Sequence, residues 1–283
     1  MIDHIHIDSL LPAEMAQKAE DIGLKKANFD FWTLFALSVL AGGFIGLGAV
    51  FATTVSTGGG ELPYGVNRML TGLAFCLGLI LVIVGGAELF TGNTLIIMGF
   101  MSRKVPFGKL LRNWGIVYLG NLVGSVLTAI TMFFTRQYTF ANGALGLNIL
   151  NIAETKTNLD FFQAIVLGLI CNALVCLAVW LTFSAGTTTD KILAIIFPIT
   201  AFVAAGTEHS IANMYFIPIG LMVKNFGGAA FFDSIGKTAL DFPNLTMSNF
   251  LVDNLLPVTI GNIIGGAVMV GLVYWFVYLR KMH

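Results

Sequence analysis

Charge is scarce in this chain. Of 283 residues, 15 are Lys or Arg and 15 are Asp or Glu, and the formal net charge is zero. No basic tract is present, which argues against nucleic acid as a partner. Cysteine is scarcer still. Cys76, Cys171 and Cys176 all lie inside apolar runs, where cysteine packs as a small hydrophobe rather than pairing or holding metal. The first 28 residues lack a continuous apolar stretch ending in a small-residue cleavage site, so no cleaved secretory leader is expected. No nucleophile motif, metal-ligand set or cofactor fingerprint stands out, so neither metal nor cofactor is expected, and enzyme chemistry has little to build on.

What the chain has in excess is apolar sequence, 57% of its residues. Long apolar runs occupy 31–55, 66–101, 110–134, 161–183, 192–223 and 255–279. This pattern predicts an all-α, multi-pass membrane protein. Two runs have an awkward length. A hydrocarbon core takes about 20 helical residues, whereas 66–101 and 192–223 have 36 and 32. They are too long for one straight span and too short for two spans with a loop. Six spans with cytoplasmic termini place Lys18, Lys25, Lys26, Arg103, Lys104, Lys109, Arg112, Lys191, Arg280 and Lys281 inside, ten of the fifteen cations. Letting each long run cross twice leaves only seven inside. The positive-inside rule therefore favours six spans.

Both awkward runs contain an acid. Glu88 begins E-L-F-T-G-N, and Glu208 begins E-H-S-I-A-N, 120 positions later. Ionisable groups in a membrane span are costly and usually mark a solute or proton pathway. A helix broken at each acid explains the lengths, since irregular backbone at membrane depth is tolerated inside protein or along a wet cavity. A second echo follows each break. N-W-G-I-V-Y-L-G-N-L-V-G starts at Asn113, and N-L-L-P-V-T-I-G-N-I-I-G starts at Asn254. The chain therefore reads as a duplication, with halves at about 28–134 and 159–280. An odd number of spans per copy forces the copies to be inverted in the membrane. The 32 glycines, dense in spans 1 and 6, suit close helix packing without a hydrophobic drive.

His209 is the first candidate for chemistry. A buried imidazole prefers to be neutral, and a nearby anion favours its charged form. It suits a small monovalent anion in an apolar constriction, either by stabilising its charge or by handing it a proton. A hydrogen-bonded core histidine is the plainer alternative. Glu88 and Glu208 repel anions, so they are expected to turn away and accept backbone N–H groups of the broken helices, with Asn93 and Asn213 in similar supporting work. Asn172 and Asn262 lie mid-span and need partners. Those partners are either other helices or a solute.

AELFTGN, NWGIVYLGNLVG, NGALGLNIL, GTEHSIANM and PVTIGNIIGG together resemble the formate/nitrite transporter family, over essentially the whole chain. The resemblance implies six transmembrane helices in an aquaporin-like inverted repeat (3+3), with helices 2 and 5 broken, in a bacterial inner membrane. It also implies a homopentamer with one pore per protomer, carrying formate and similar small anions. Thr91 then faces His209 and can hydrogen-bond it. Asn172 and Asn262 line the pore and offer donors. Phe75, Leu79 and Phe202 narrow it toward the periplasm, and Leu89, Phe90 and Val175 toward the cytoplasm. Lys156, in a long outer loop 135–160, stands at the periplasmic mouth, or is an ordinary solvated lysine. Residues 1–27 form a cytoplasmic gate ahead of a channel domain spanning 28–283. In that segment Ser9 is read as a helix cap, Pro12 as part of the first turn and Gly23 as the stop. Leu11, Met15, Ala19 and Ile22 share a face, and His4 and His6 offer acid sensitivity. The Asn-Pro-Ala signature of water and glycerol channels is absent from both breaks. Nitrite and hydrosulfide remain open as substrates, and an enzyme built on Glu208 and His209 is the more distant alternative.

Overall fold

The computed structural model describes residues 9–282. Helices make up the frame: α1 (Pro12–Ala27), α2 (Phe31–Ser56), α3 (Tyr64–Gly85), α4 (Phe90–Met101), α5 (Phe107–Phe134), α6 (Ala144–Thr157), α7 (Phe161–Ser184), α8 (Thr188–Ala204), α9 (Ser210–Phe226), α10 (Ala229–Ile235) and α11 (Met247–Leu279). No strand occurs among the described residues. Among the described residues five helices, α2, α3, α5, α7 and α11, are long and apolar enough to cross a membrane. The bent pair α9–α10, with 106° between its parts, raises the number to six.

The two awkward runs are broken where the acids stand. α3 stops because Gly86 turns left-handed (φ 77°, ψ 30°), and α4 begins again at Phe90 after an extended Leu89. α8 stops before Gly206 (φ 73°), and α9 begins at Ser210 after an extended His209. Glycine takes this left-handed turn without steric cost, which is why it closes helices.

The sequence echoes also appear at helix starts and crossings. Asp30 accepts the Thr33 N–H at 3.0 Å to open α2, and Asp160 accepts the Phe162 and Gln163 N–H groups at 3.0 and 3.2 Å to open α7. The bonds from Thr33 hold the Asp30 carboxyl below the usual carboxylate range. Close approach is sharpest at Gly124 and its repeat mate Gly265. A methyl at Gly124 would lie 1.9 Å from the Val39 carbonyl oxygen, and one at Gly265 would lie 2.0 Å from that of Leu169. Gly124→Ala and Gly265→Ala should each cost at least about 2 kcal/mol by forcing α2 from α5 or α7 from α11. Melting in detergent should register both as lower midpoints.

Four features depart from the sequence reading. α1 starts at Pro12, with Leu11 as its cap residue, and Glu14 rather than Ser9 supplies the cap bond by accepting the Leu11 N–H at 2.7 Å. Gly23 lies inside α1, where a methyl would be 3.4 Å from the Ile96 Cα, so it serves packing and not termination. On the expected apolar face, Met15 and Ala19 are buried while Leu11 is exposed. The stretch 135–160 is largely helix α6 rather than open loop. His4 and His6 lie outside the described residues.

Candidate functional site

Each break carries a buried polar ring, and the two rings are built alike. At the first, Lys26 Nζ is 3.1 Å from Glu88 Oε1 and donates to Asn93 Oδ1 at 2.8 Å. Asn93 Nδ2 donates to Glu88 Oε2 (2.7 Å) and Asn113 Oδ1 (3.0 Å), and Asn113 Nδ2 returns to the Lys26 carbonyl (3.0 Å). At the second, Lys156 Nζ is 2.8 Å from Glu208 Oε1. Asn213 Nδ2 donates to Glu208 Oε2 (2.6 Å) and Asn254 Oδ1 (2.7 Å), and Asn254 Nδ2 returns to the Lys156 carbonyl (2.8 Å). A buried carboxylate needs a paired cation and filled lone pairs, and each ring supplies both.

These rings correct two expectations. The carboxylates bond lysine and asparagine side chains, not the N–H groups of the half-helices. That work falls to Asn121 Oδ1, which takes the Phe90 N–H at 2.9 Å, and to Asn262 Oδ1, which takes the Ser210 N–H at 2.9 Å. Asn262 is therefore not free to offer donors to a solute, since its Nδ2 binds the Gly168 and Glu208 carbonyls at 2.7 and 3.0 Å. Asn121 Nδ2 does the same with the Ser38 and Glu88 carbonyls at 2.7 and 2.9 Å. Asn172 Nδ2 is likewise engaged, by the Asn262 carbonyl at 2.6 Å and by Thr91 O and Thr94 Oγ1, each at 3.2 Å.

Sequence reasoning missed Lys26 as the partner of Glu88. The signal was present as Lys26-x-Asn28-x-Asp30-Phe31 against Lys156-x-Asn158-x-Asp160-Phe161. That echo makes α1 and α6 repeat mates as well. Lys156 ends α6 with 16% of its side chain exposed, and its ammonium lies 5.4 Å from the Phe216 ring centre.

His209 is 3% exposed. Its Nε2 is 3.0 Å from Thr91 Oγ1, so the expected pair forms across the two breaks. Its ring is stacked on Phe202 with centres 6.0 Å apart, and Phe202 meets Phe75 edge-on at 5.5 Å. His209, Lys156, Glu208, Arg68, Phe75 and Phe202 line one chamber of about 450 Å³. Arg68 was also missed. It donates to the Val203 and Ala204 carbonyls that end α8, where a cation suits the negative helix terminus. Lys18, Lys26, Lys191 and Glu88 line a second chamber of about 240 Å³. Leu79, Leu89, Phe90 and Val175 are buried and line neither of these two chambers. Phe90 packs edge-on against Tyr118, with centres 4.9 Å apart. The architecture is two cation-bearing chambers, two helix breaks and apolar side chains.

Residues 13–276 match the model of the formate/nitrite transporter family. The chain belongs to the formate/nitrite transporter family. It is 45% identical over 274 residues to the formate channel FocA of Escherichia coli K12, covering 97% of this chain and 96% of that one. It is 40% identical to the FocA of Haemophilus influenzae, with the same coverage. Among solved structures, a pentameric formate channel with formate bound superposes with a TM-score of 0.83 at 46% identity, covering 88% of this chain and 98% of that chain. An ion channel of the same family gives 0.77 at 29% identity, covering 93% and 98%. These relatives are channels, not enzymes, as the sequence reading expected.

Proposed function

We propose that this protein is a channel for formate and related small monovalent anions in a bacterial inner membrane, with His209 at its centre. The observation that carries the reading is the His209–Thr91 pair, which joins the two helix breaks at 3.0 Å beside a cation-bearing chamber that His209 lines. Arg68 raises the local concentration of anions, while Lys156 is neutralised by Glu208 at 2.8 Å. Phe75, Leu79 and Phe202 on one side and Leu89, Phe90 and Val175 on the other strip water and hold back hydrated ions. Half-helices α4 and α9 aim their N-terminal partial positive charge at the site. Glu88, Glu208, Asn93 and Asn213 brace the breaks from behind.

The chain forms six spans in two inverted halves, about 28–134 and 159–280, with both termini cytoplasmic, and five copies assemble with one pore each. The Lys26 chamber then opens to the cytoplasm and the Lys156 chamber to the periplasm. Proteoliposomes offered formate, nitrite, lactate and glycerol test the reading. Formate should pass rapidly and glycerol should not. Faster nitrite than formate would move the assignment to nitrite, and glycerol flux without anion flux would end it.

Residues 1–27 act as a gate at the cytoplasmic mouth of the 28–283 channel domain. α1 is fastened by Lys26–Glu88, by Glu20–Lys104 and by Lys18 Nζ on the Phe183 carbonyl at 2.8 Å. Removing residues 1–22 spares the Lys26–Glu88 pair. Formate flux at neutral pH should rise in this variant, and unchanged flux would rule the gate out.

A further inference from the structure

Both ring nitrogens of His209 are engaged. Nδ1 lies 3.1 Å from the backbone N–H of Ala212, three residues along the same helix, so the imidazole is itself the cap of α9. A backbone N–H only donates. Nδ1 must therefore accept, and the neutral ring carries its proton on Nε2. That N–H points at Thr91 Oγ1, 3.0 Å away, which accepts it and keeps its own hydroxyl proton to give. Among the described residues no hydrogen bond takes that proton. The Thr91 main chain is pinned meanwhile, because its carbonyl receives Thr94 Oγ1 (2.6 Å), Asn172 Nδ2 (3.2 Å) and Cys176 Sγ (3.3 Å).

We propose that the Ala212 N–H is a tautomer lock: it keeps His209 neutral with the proton on Nε2, and a second proton enters only when the first turn of α9 releases the ring. Protonated Nδ1 would set two N–H groups against each other across 3.1 Å. Charging His209 is thereby tied to uncapping the half-helix behind it. In the locked state the ring that lines the chamber is neutral and not an imidazolium, and its Nε2–H is held by Thr91 Oγ1 behind it. This deepens the transport reading above and rests on it for the identity of the anion. The charged groups that share the chamber with His209 are Arg68, Lys156 and Glu208, and Lys156 and Glu208 already neutralise each other at 2.8 Å.

The test is solid-state NMR of the full chain in bilayers with ¹⁵N-labelled histidine. His4→Gln, His6→Gln and His283→Gln leave His209 as the single reporter. At neutral pH the expected spectrum is one neutral tautomer, with Nδ1 bare and Nε2 protonated. A ring protonated on Nδ1, a mixture of tautomers, or an imidazolium at neutral pH overturns the lock. Ala212→Pro deletes the competing N–H at a first-turn position, where proline is best tolerated in a helix. This variant should take its second proton at a proton concentration on the order of tenfold lower, the worth of about one hydrogen bond. An unmoved titration in a folded Ala212→Pro variant also overturns the lock. If that variant does not fold, the tautomer of the otherwise native chain decides alone. Formate flux is measured on the same preparations. The expected tautomer without flux would sink the transport reading and leave the lock standing, and flux with an Nδ1-protonated ring would do the reverse.

Discussion

Replacing His209 with phenylalanine should abolish the pH dependence of formate flux. The ring is 3% exposed, stacked on Phe202 and bonded to Thr91, so phenylalanine keeps the shape and removes the titrating nitrogens. The imidazole is the only group at the break whose ordinary titration lies near physiological pH. Flux through His209→Phe at neutral and at acid pH, from proteoliposomes with matched protein content, should therefore agree within error. A retained difference would assign the response to other groups, and unchanged flux at both pH values would remove His209 from the mechanism. The substitution also deletes the acceptor for the Ala212 N–H. A modest loss of thermal stability, about 1 kcal/mol for one cap bond, should accompany it.

Lys156→Met should be among the most damaging substitutions outside the close-packed glycines. Methionine matches the stem of lysine but strands the Glu208 carboxylate, which is only 5% exposed. Removing one partner of a buried pair costs about 3–5 kcal/mol, because the remaining charge has no compensation. Asn213 and Asn254 still donate to Glu208, which favours the lower end of that range. Melting of the purified protein in detergent checks it. Lys156→Met combined with Glu208→Gln should recover most of the loss, since the double change removes the orphan charge along with the pair. Lys26→Met should cost less, because Lys26 is 25% exposed against 16% for Lys156, and water can reach the carboxylate it leaves. Equal melting of Lys156→Met and the unaltered protein would show that the second ring does not hold the break.

The sequence carried the coarse design. Hydropathy located the apolar helices, because each is written locally in about 20 consecutive residues. Run lengths and the two acids placed the breaks, and the backbone turns at Gly86 and Gly206 agree with that placement. The Asn113 and Asn254 motifs echo each other in sequence, and the two asparagines take matching places in the two polar rings. The resemblance carried by GTEHSIANM and its companions led to a family that the match over residues 13–276 establishes. The pairing of Thr91 with His209 was expected from that resemblance and is present at 3.0 Å.

Partner choice was not legible in the same way. Glu88 looked like a backbone acceptor and is instead the partner of Lys26, 62 positions earlier in the chain. Asn262 looked like a donor to the solute and spends both N–H bonds on carbonyls from the α7 helix and the second break. Lys156 looked like a surface residue of a loop and is an ion-paired residue in the last turn of a helix. The tautomer-fixing bond to Ala212 depends on the extended backbone of His209 (φ −115°, ψ 113°), which no side-chain pattern announces. Periodicity and composition report what each segment needs from its surroundings: an apolar neighbour, a cation, an acceptor. Which group meets that need depends on how the segments cross, and only the packed helices link Lys26, Glu88, Asn93 and Asn113 into one network through contacts of 3.1 Å or less.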